Sequence, residues 1–133
     1  MSNPMKKILT LLTIALSLVL INHSCKPKEE EPGSIYGVVS DYHTLELLPN
    51  VNVKLYKATV INPDGSPASH KLLTSSVTAS DGSFEFNELE PTYYRLDLTK
   101  GGYNNLEYSL GVELLVEEGK VSRVDLTLTK DWW

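Results

Sequence analysis

From Ile35 onward, apolar and polar residues alternate with a period of two. Val51, Val53 and Leu55 share one side of an extended chain, and Asn52, Lys54 and Tyr56 share the other. Such alternation requires a sheet with one covered face and excludes an amphipathic helix, whose apolar residues recur every three to four positions. Seven runs show it, at 35–40, 51–57, 71–79, 83–87, 93–99, 106–116 and 121–129. The inward sets are Phe84 and Phe86; Tyr94, Leu96 and Leu98; Leu110, Val112, Leu114 and Val116; and Val124, Leu126 and Leu128. Turn residues separate the runs. Asp81-Gly82 and Glu118-Gly119 read as tight hairpins, with glycine supplying the positive φ. The segment from Asn62 to Pro67 reads as a loop, because neither of its prolines can donate to a sheet ladder. With no strand–helix–strand rhythm, the pattern predicts an all-β fold: a seven-stranded antiparallel β-sandwich filling one domain, residues 34–133.

The first 33 residues have a different composition. Lys6 and Lys7 precede fourteen residues, Ile8 to Ile21, made of Leu, Ile, Val and Ala with Thr10, Thr13 and Ser17 among them. This length suits the apolar segment of a secretory signal and falls short of the ~20 residues a spanning helix needs. Cys25, the only cysteine, follows directly after Asn22-His23-Ser24. A lone thiol forms no internal disulfide. The segment resembles the signal of a bacterial lipoprotein, in which a small residue precedes the cysteine, as Ser24 does here. Such signals usually carry Leu three positions before the cysteine and a small residue two before, where this chain has Asn22 and His23. Ordinary signal cleavage is the alternative. The resemblance implies a signal peptide at 1–24, lipid on Cys25 and attachment to the outer membrane of the cell envelope.

Residues 25–33 carry two prolines and Glu29-Glu30-Glu31 with no apolar side chain for a core, and read as an extended, solvated tether. An acidic run in this place also resembles the surface-export signal of some outer-membrane lipoproteins. The whole chain has net charge −5; without Lys6 and Lys7, ten basic residues against seventeen acidic ones leave −7. That balance excludes nucleic acid as a partner bound through its phosphates.

Within the domain, five segments stand out in order: Gly37-Val38-Val39-Ser40-Asp41, Leu48-Pro49-Asn50-Val51-Asn52-Val53, Thr78-Ala79-Ser80-Asp81-Gly82-Ser83-Phe84-Glu85-Phe86, Tyr94-Arg95-Leu96-Asp97-Leu98, and Gly102-Tyr103. Together they resemble the carboxypeptidase regulatory-like domain, a sandwich related in shape to transthyretin. The resemblance implies the fold; it does not imply an activity. Leu89 is expected to plug one end of the sandwich, and Tyr94 to pack with its hydroxyl at the rim.

The chemistry-bearing residues are few. His43 and His70 read as lying in separate loops, and there is no HExxH, CxxC or phosphate loop, so neither a metal nor a cofactor is expected. Asp64 and Asp81 each stand alone in a turn, whereas calcium takes six to eight oxygens. Glu113, Glu117 and Glu118 fall on the solvent side or in a turn, not in a facing pair. Transthyretin-related hydrolases end in Tyr-Arg-Gly-Ser; this sequence ends in Lys130-Asp131-Trp132-Trp133. The isopeptide-forming adhesin domains resemble this one around 94–103. They need an inward lysine, an Asn or Asp, and an acid, whose place Leu98 takes here, while Lys54 faces outward.

The aromatic residues are the constructive lead. Tyr42, Tyr103 and Tyr108 lie in or near loops, and Trp132 and Trp133 follow the last run. Exposed rings stack on sugars or grip peptides, and a Trp pair that covers a sheet edge is the plainer alternative. The sequence thus reads as a non-catalytic module, held to the membrane through Cys25, with a polysaccharide or an envelope protein as partner. A small-ligand carrier or hydrolase at an oligomer interface, and a structural adhesin or stalk unit, are the rivals.

Overall fold

The computed structural model describes residues 29–105, 107–108 and 110–131. They form nine strand segments: β1 (Gly33–Asp41), β2 (Asn52–Ile61), β3 (Pro67–Val77), β4 (Ser83–Leu89), β5 (Tyr93–Thr99), β6 (Tyr103–Asn104), β7 (Val112–Leu115), β8 (Val121–Arg123) and β9 (Leu126–Lys130). One sheet has the order β4-β1-β9-β6, with β8 also on β1, and the other has the order β3-β2-β5-β7. The alternating side chains meet between them. Ile35, Val39, Phe84, Phe86, Leu126 and Leu128 come from the first sheet, and Val53, Leu55, Tyr94, Leu96 and Leu98 from the second; all are buried. The expected sandwich therefore stands, as do the inward faces of these strands.

Four details differ from the sequence reading. The sandwich is not wholly antiparallel: β8 and β9 run parallel to β1, at Ser34–Tyr36 and Val39–Asp41 respectively. A period of two sets which face is buried and is silent on strand direction. The final run is also broken in two. At Val124 and Asp125 the chain steps along β1, with the Val124 N–H donating to the Tyr36 carbonyl and the Val38 N–H donating to the Asp125 carboxylate. Gly37 permits this close approach, because a Cβ there would sit 1.9 Å from the Val124 carbonyl oxygen.

Secondly, Asp81-Gly82 and Glu118-Gly119 are not hairpins between neighbouring strands. Each carries the chain from one sheet to the other, β3 to β4 and β7 to β8. The turn chemistry is as expected, and the strand directions beyond it differ. Thirdly, among the described residues of the run 106–116, only those of β7 form a strand. Leu110, expected inward, is 88% exposed. Gly111 breaks the alternation at φ 80, where a Cβ would meet the Arg95 side chain at 2.7 Å. Fourthly, His70 lies within β3, not in a loop.

The registers define two ends. The start of β1, the β4–β5 turn and the β7–β8 turn lie together, with Gly33 opposite Leu89 and Ser34 opposite Val121. This is the tether end. At the other, distal end lie the β1–β2 loop, the β3–β4 turn and the β5–β6 turn.

Candidate functional site

The distal end is built from two buried polar side chains. Asp41, 3% exposed, closes β1. Its carboxylate accepts from the backbone N–H of His43 at 2.8 Å and of Thr44 at 3.0 Å, and the Leu45 N–H donates to its carbonyl at 2.9 Å. The N–H groups of Thr44 first, then of His43, hold the Asp41 carboxyl below its usual range. Leu45 is left at φ 62, an unusual conformation for leucine, and stands 74% exposed. Thr78 is the second anchor. Its hydroxyl donates to the Leu48 carbonyl at 2.7 Å and accepts from the Val51 N–H at 2.9 Å, tying the β1–β2 loop to the β3–β4 turn. Within that turn, the Ser83 hydroxyl and then its N–H hold Asp81 below the usual carboxylate range. Asp64 has the same arrangement with Ser66.

Tyr42 and Tyr103 are both at this end. The Tyr42 N–H donates to the Leu128 carbonyl, and Tyr103 pairs with Lys130, so both border β9. Tyr42 is 57% exposed and sets its ring edge-on to His43, centroids 5.2 Å apart. Lys100 donates to the Pro49 carbonyl at 2.7 Å and holds its ammonium 5.9 Å from the Tyr103 ring centroid. Around it lies an open cleft lined by Asn50, Thr99, Lys100, Tyr103, Asn104 and Asn105. Asn105 donates its amide N–H to the Leu98 carbonyl at 3.4 Å, while its Oδ1 is buried and meets no hydrogen-bond partner among the described residues. An acceptor in that state is uncommon.

Tyr108 is elsewhere: it packs against the core, and burial first, then the Glu107 carboxylate, raises its hydroxyl above the ordinary range. Cys25, Trp132 and Trp133 lie outside the described residues; the described chain ends at Asp131, whose N–H donates to the Gly102 carbonyl. Asn50, Lys100, Asn104 and Asn105 were missed by a search for aromatic rings. The run Lys100-Gly-Gly-Tyr-Asn-Asn105, a turn followed by two amides, was the available signal.

Among the described residues, no group of three or more His, Cys, Asp or Glu side chains is placed to hold a metal ion. His70, 7% exposed, brings Nε2 to 3.0 Å from Glu113 Oε1. The two meet as a polar contact out of hydrogen-bond alignment.

Residues 34–129 match the carboxypeptidase regulatory-like domain, and the chain belongs to that family. No curated protein matches the chain in sequence. The fold is similar to several solved structures. A pilus 2b backbone protein of group B streptococcus aligns at 19% identity and TM-score 0.58, over 76% of this chain and 42% of that one. BcpA, the major pilin subunit of Bacillus cereus, aligns at 12% and 0.54, over 76% and 31%. The C-terminal domain of the shaft pilin SpaA of Lactobacillus rhamnosus GG aligns at 15% and 0.53, over 77% and 100%. At these identities the likeness is one of fold.

Proposed function

We propose that this protein is a non-catalytic module of the cell envelope. It is anchored through lipid on Cys25 and presents its distal end to a polysaccharide. One observation supports the ligand class: the open cleft beside Tyr103 gathers Asn50, Asn104, Asn105 and Lys100 at the end opposite the tether. Sugars bring many hydroxyl groups and an apolar ring face, which suits amide side chains beside an aromatic ring. Trp132 and Trp133, directly after Asp131, would add stacking surface. Envelope proteins are the rival partners on the same surface. A stalk unit is the second reading, supported by the pilin shaft and backbone subunits that share the fold.

The anchor is tested by Cys25→Ala, which is expected to abolish membrane retention and leave the domain folded. Detergent-requiring membrane association of that variant contradicts it. For the ligand, polysaccharide retention is expected to fall with Tyr103→Ala and Asn105→Leu and to be unchanged with Tyr108→Phe. Equal retention by all three overturns the glycan reading and leaves the stalk.

A further inference from the structure

Among the described residues five strands lie at sheet edges, and four are guarded against pairing with another strand. β4 carries exposed Glu85 and Glu88; β6 has two residues; β7 has four, including Glu113; β8 has three, including Arg123. Short strands and charges are the usual means of keeping an edge unpaired. β3 is the exception, an edge of eleven residues.

Its two halves differ. The half nearer the tether end begins with Pro67, carries Lys71 and has bulged registers against β2. Beyond the bulge at Leu73, the register with β2 is unbroken from Leu55 opposite Thr74 to Asn52 opposite Val77. No charged residue occurs from Leu72 to Ser80. Leu73 and Val77 are 51% and 60% exposed, while Thr78 turns inward and ends the edge. The open, uncharged segment is therefore 73–77, and its midpoint is Ser75.

We infer that this edge pairs with the same edge of a second copy of the chain, antiparallel, on a two-fold axis through Ser75. That register sets Leu73 opposite Val77 of the second copy, on both sides of the axis, and Thr74 opposite its Ser76. Four half-exposed apolar side chains thereby cover one another as cross-strand pairs. No like charges face each other: Lys71 lies beyond the paired segment. Both copies are acidic, and this is the one long edge segment among the described residues from which charge is missing, so charge favours self-pairing here over β4, β7 and β8, and length favours it over the two-residue β6. The product is one eight-stranded sheet, β7-β5-β2-β3 continued by its two-fold mate, with the Lys100–Asn105 clefts free. It needs neither a lipid anchor nor a glycan ligand, so its failure leaves the proposed function standing.

The test uses the full chain with Cys25→Ser, so that an added cysteine is the only thiol. A residue on the axis faces itself at 4.5–5.5 Å between Cα atoms, within disulfide reach. Under mild oxidation S75C is expected to form a covalent dimer, whereas S69C, exposed on the same strand, stays monomeric. T74C/S76C in one chain is expected to cross-link as well. In detergent, the sedimenting protein mass is expected to be twice that of one chain and to halve in S75E. Monomeric protein at every concentration, equal cross-linking at 69 and 75, or a dimer that survives S75E each overturns the inference.

Discussion

The two ends of the sandwich are held by different chemistry. At the tether end, the turns are short and fixed by groups open to solvent. Lys57 meets Glu90, Lys120 meets Glu117 at 3.3 Å, and the Glu31 N–H donates to the Glu118 carboxylate at 2.9 Å. At the distal end, the Asp41 and Thr78 side chains are buried and fully used in fixing loops. Leu45 and Asn50 stand there at positive φ, as Glu88 does at the tether end. Buried polar groups are costly unless satisfied, and left-handed leucine is strained. In the proposed function the tether end needs only to join the domain to the residues before it, whereas the distal end holds its loops in one shape. Loops fixed on a rigid sheet are where binding residues are generally found.

The largest effect is expected where that contrast rests on one atom. Thr78→Val removes the hydroxyl that serves both Leu48 and Val51, leaving a buried carbonyl and N–H unpaired, at a cost of about 1–3 kcal/mol. Urea unfolding would measure it, and hydrogen exchange would rise first in residues 42–51. Next comes a change of opposite sign. Leu45→Gly relieves the left-handed conformation and is expected to stabilise the fold by roughly 1 kcal/mol, read as a higher Tm. Similar in size, at the tether end, Tyr94→Phe removes the hydroxyl that donates to the Glu90 carbonyl at 2.8 Å, costing about 1 kcal/mol. Exchange in the distal loops should not change. Lys57→Met is expected to have the smallest effect, and added salt should shrink it further, as for an exposed ion pair.

Acid sharpens the same comparison. Asp41 and Asp81 have folded pKa values below the ordinary aspartate value. Their contribution is therefore complete above that value and is lost as pH falls from it through the lowered folded values. Asp41→Asn should flatten the acid limb of a stability–pH curve and leave the neutral and alkaline limbs parallel to wild type.

The faces of the strands were legible because alternation is a local property. Val53 and Leu55, Phe84 and Phe86, and Leu126 and Leu128 all point into the core as read. Direction was not legible: the inward pattern of Leu126 and Leu128 is the same whether β9 runs parallel or antiparallel to β1. Turn chemistry has the same limit, since Asp81-Gly82-Ser83 folds identically in a hairpin and in a crossing between sheets. Leu110 was misassigned by carrying the alternation past Gly111, a residue that should have stopped it. At the site, Tyr42 and Tyr103 share an end because their loops close neighbouring strands. Asn105 gains its meaning from the cleft it lines with Asn50, Lys100 and Tyr103, which no single sequence position reveals.

The central claim is that the tether end holds and the distal end binds. Hydrogen exchange on the full chain, with and without envelope polysaccharide, tests it most directly. The account predicts slowed exchange at Asn50 and across 99–105, and no change across 29–33 and 116–120. Slowing confined to the tether end, or no slowing anywhere at saturating polysaccharide, would contradict it.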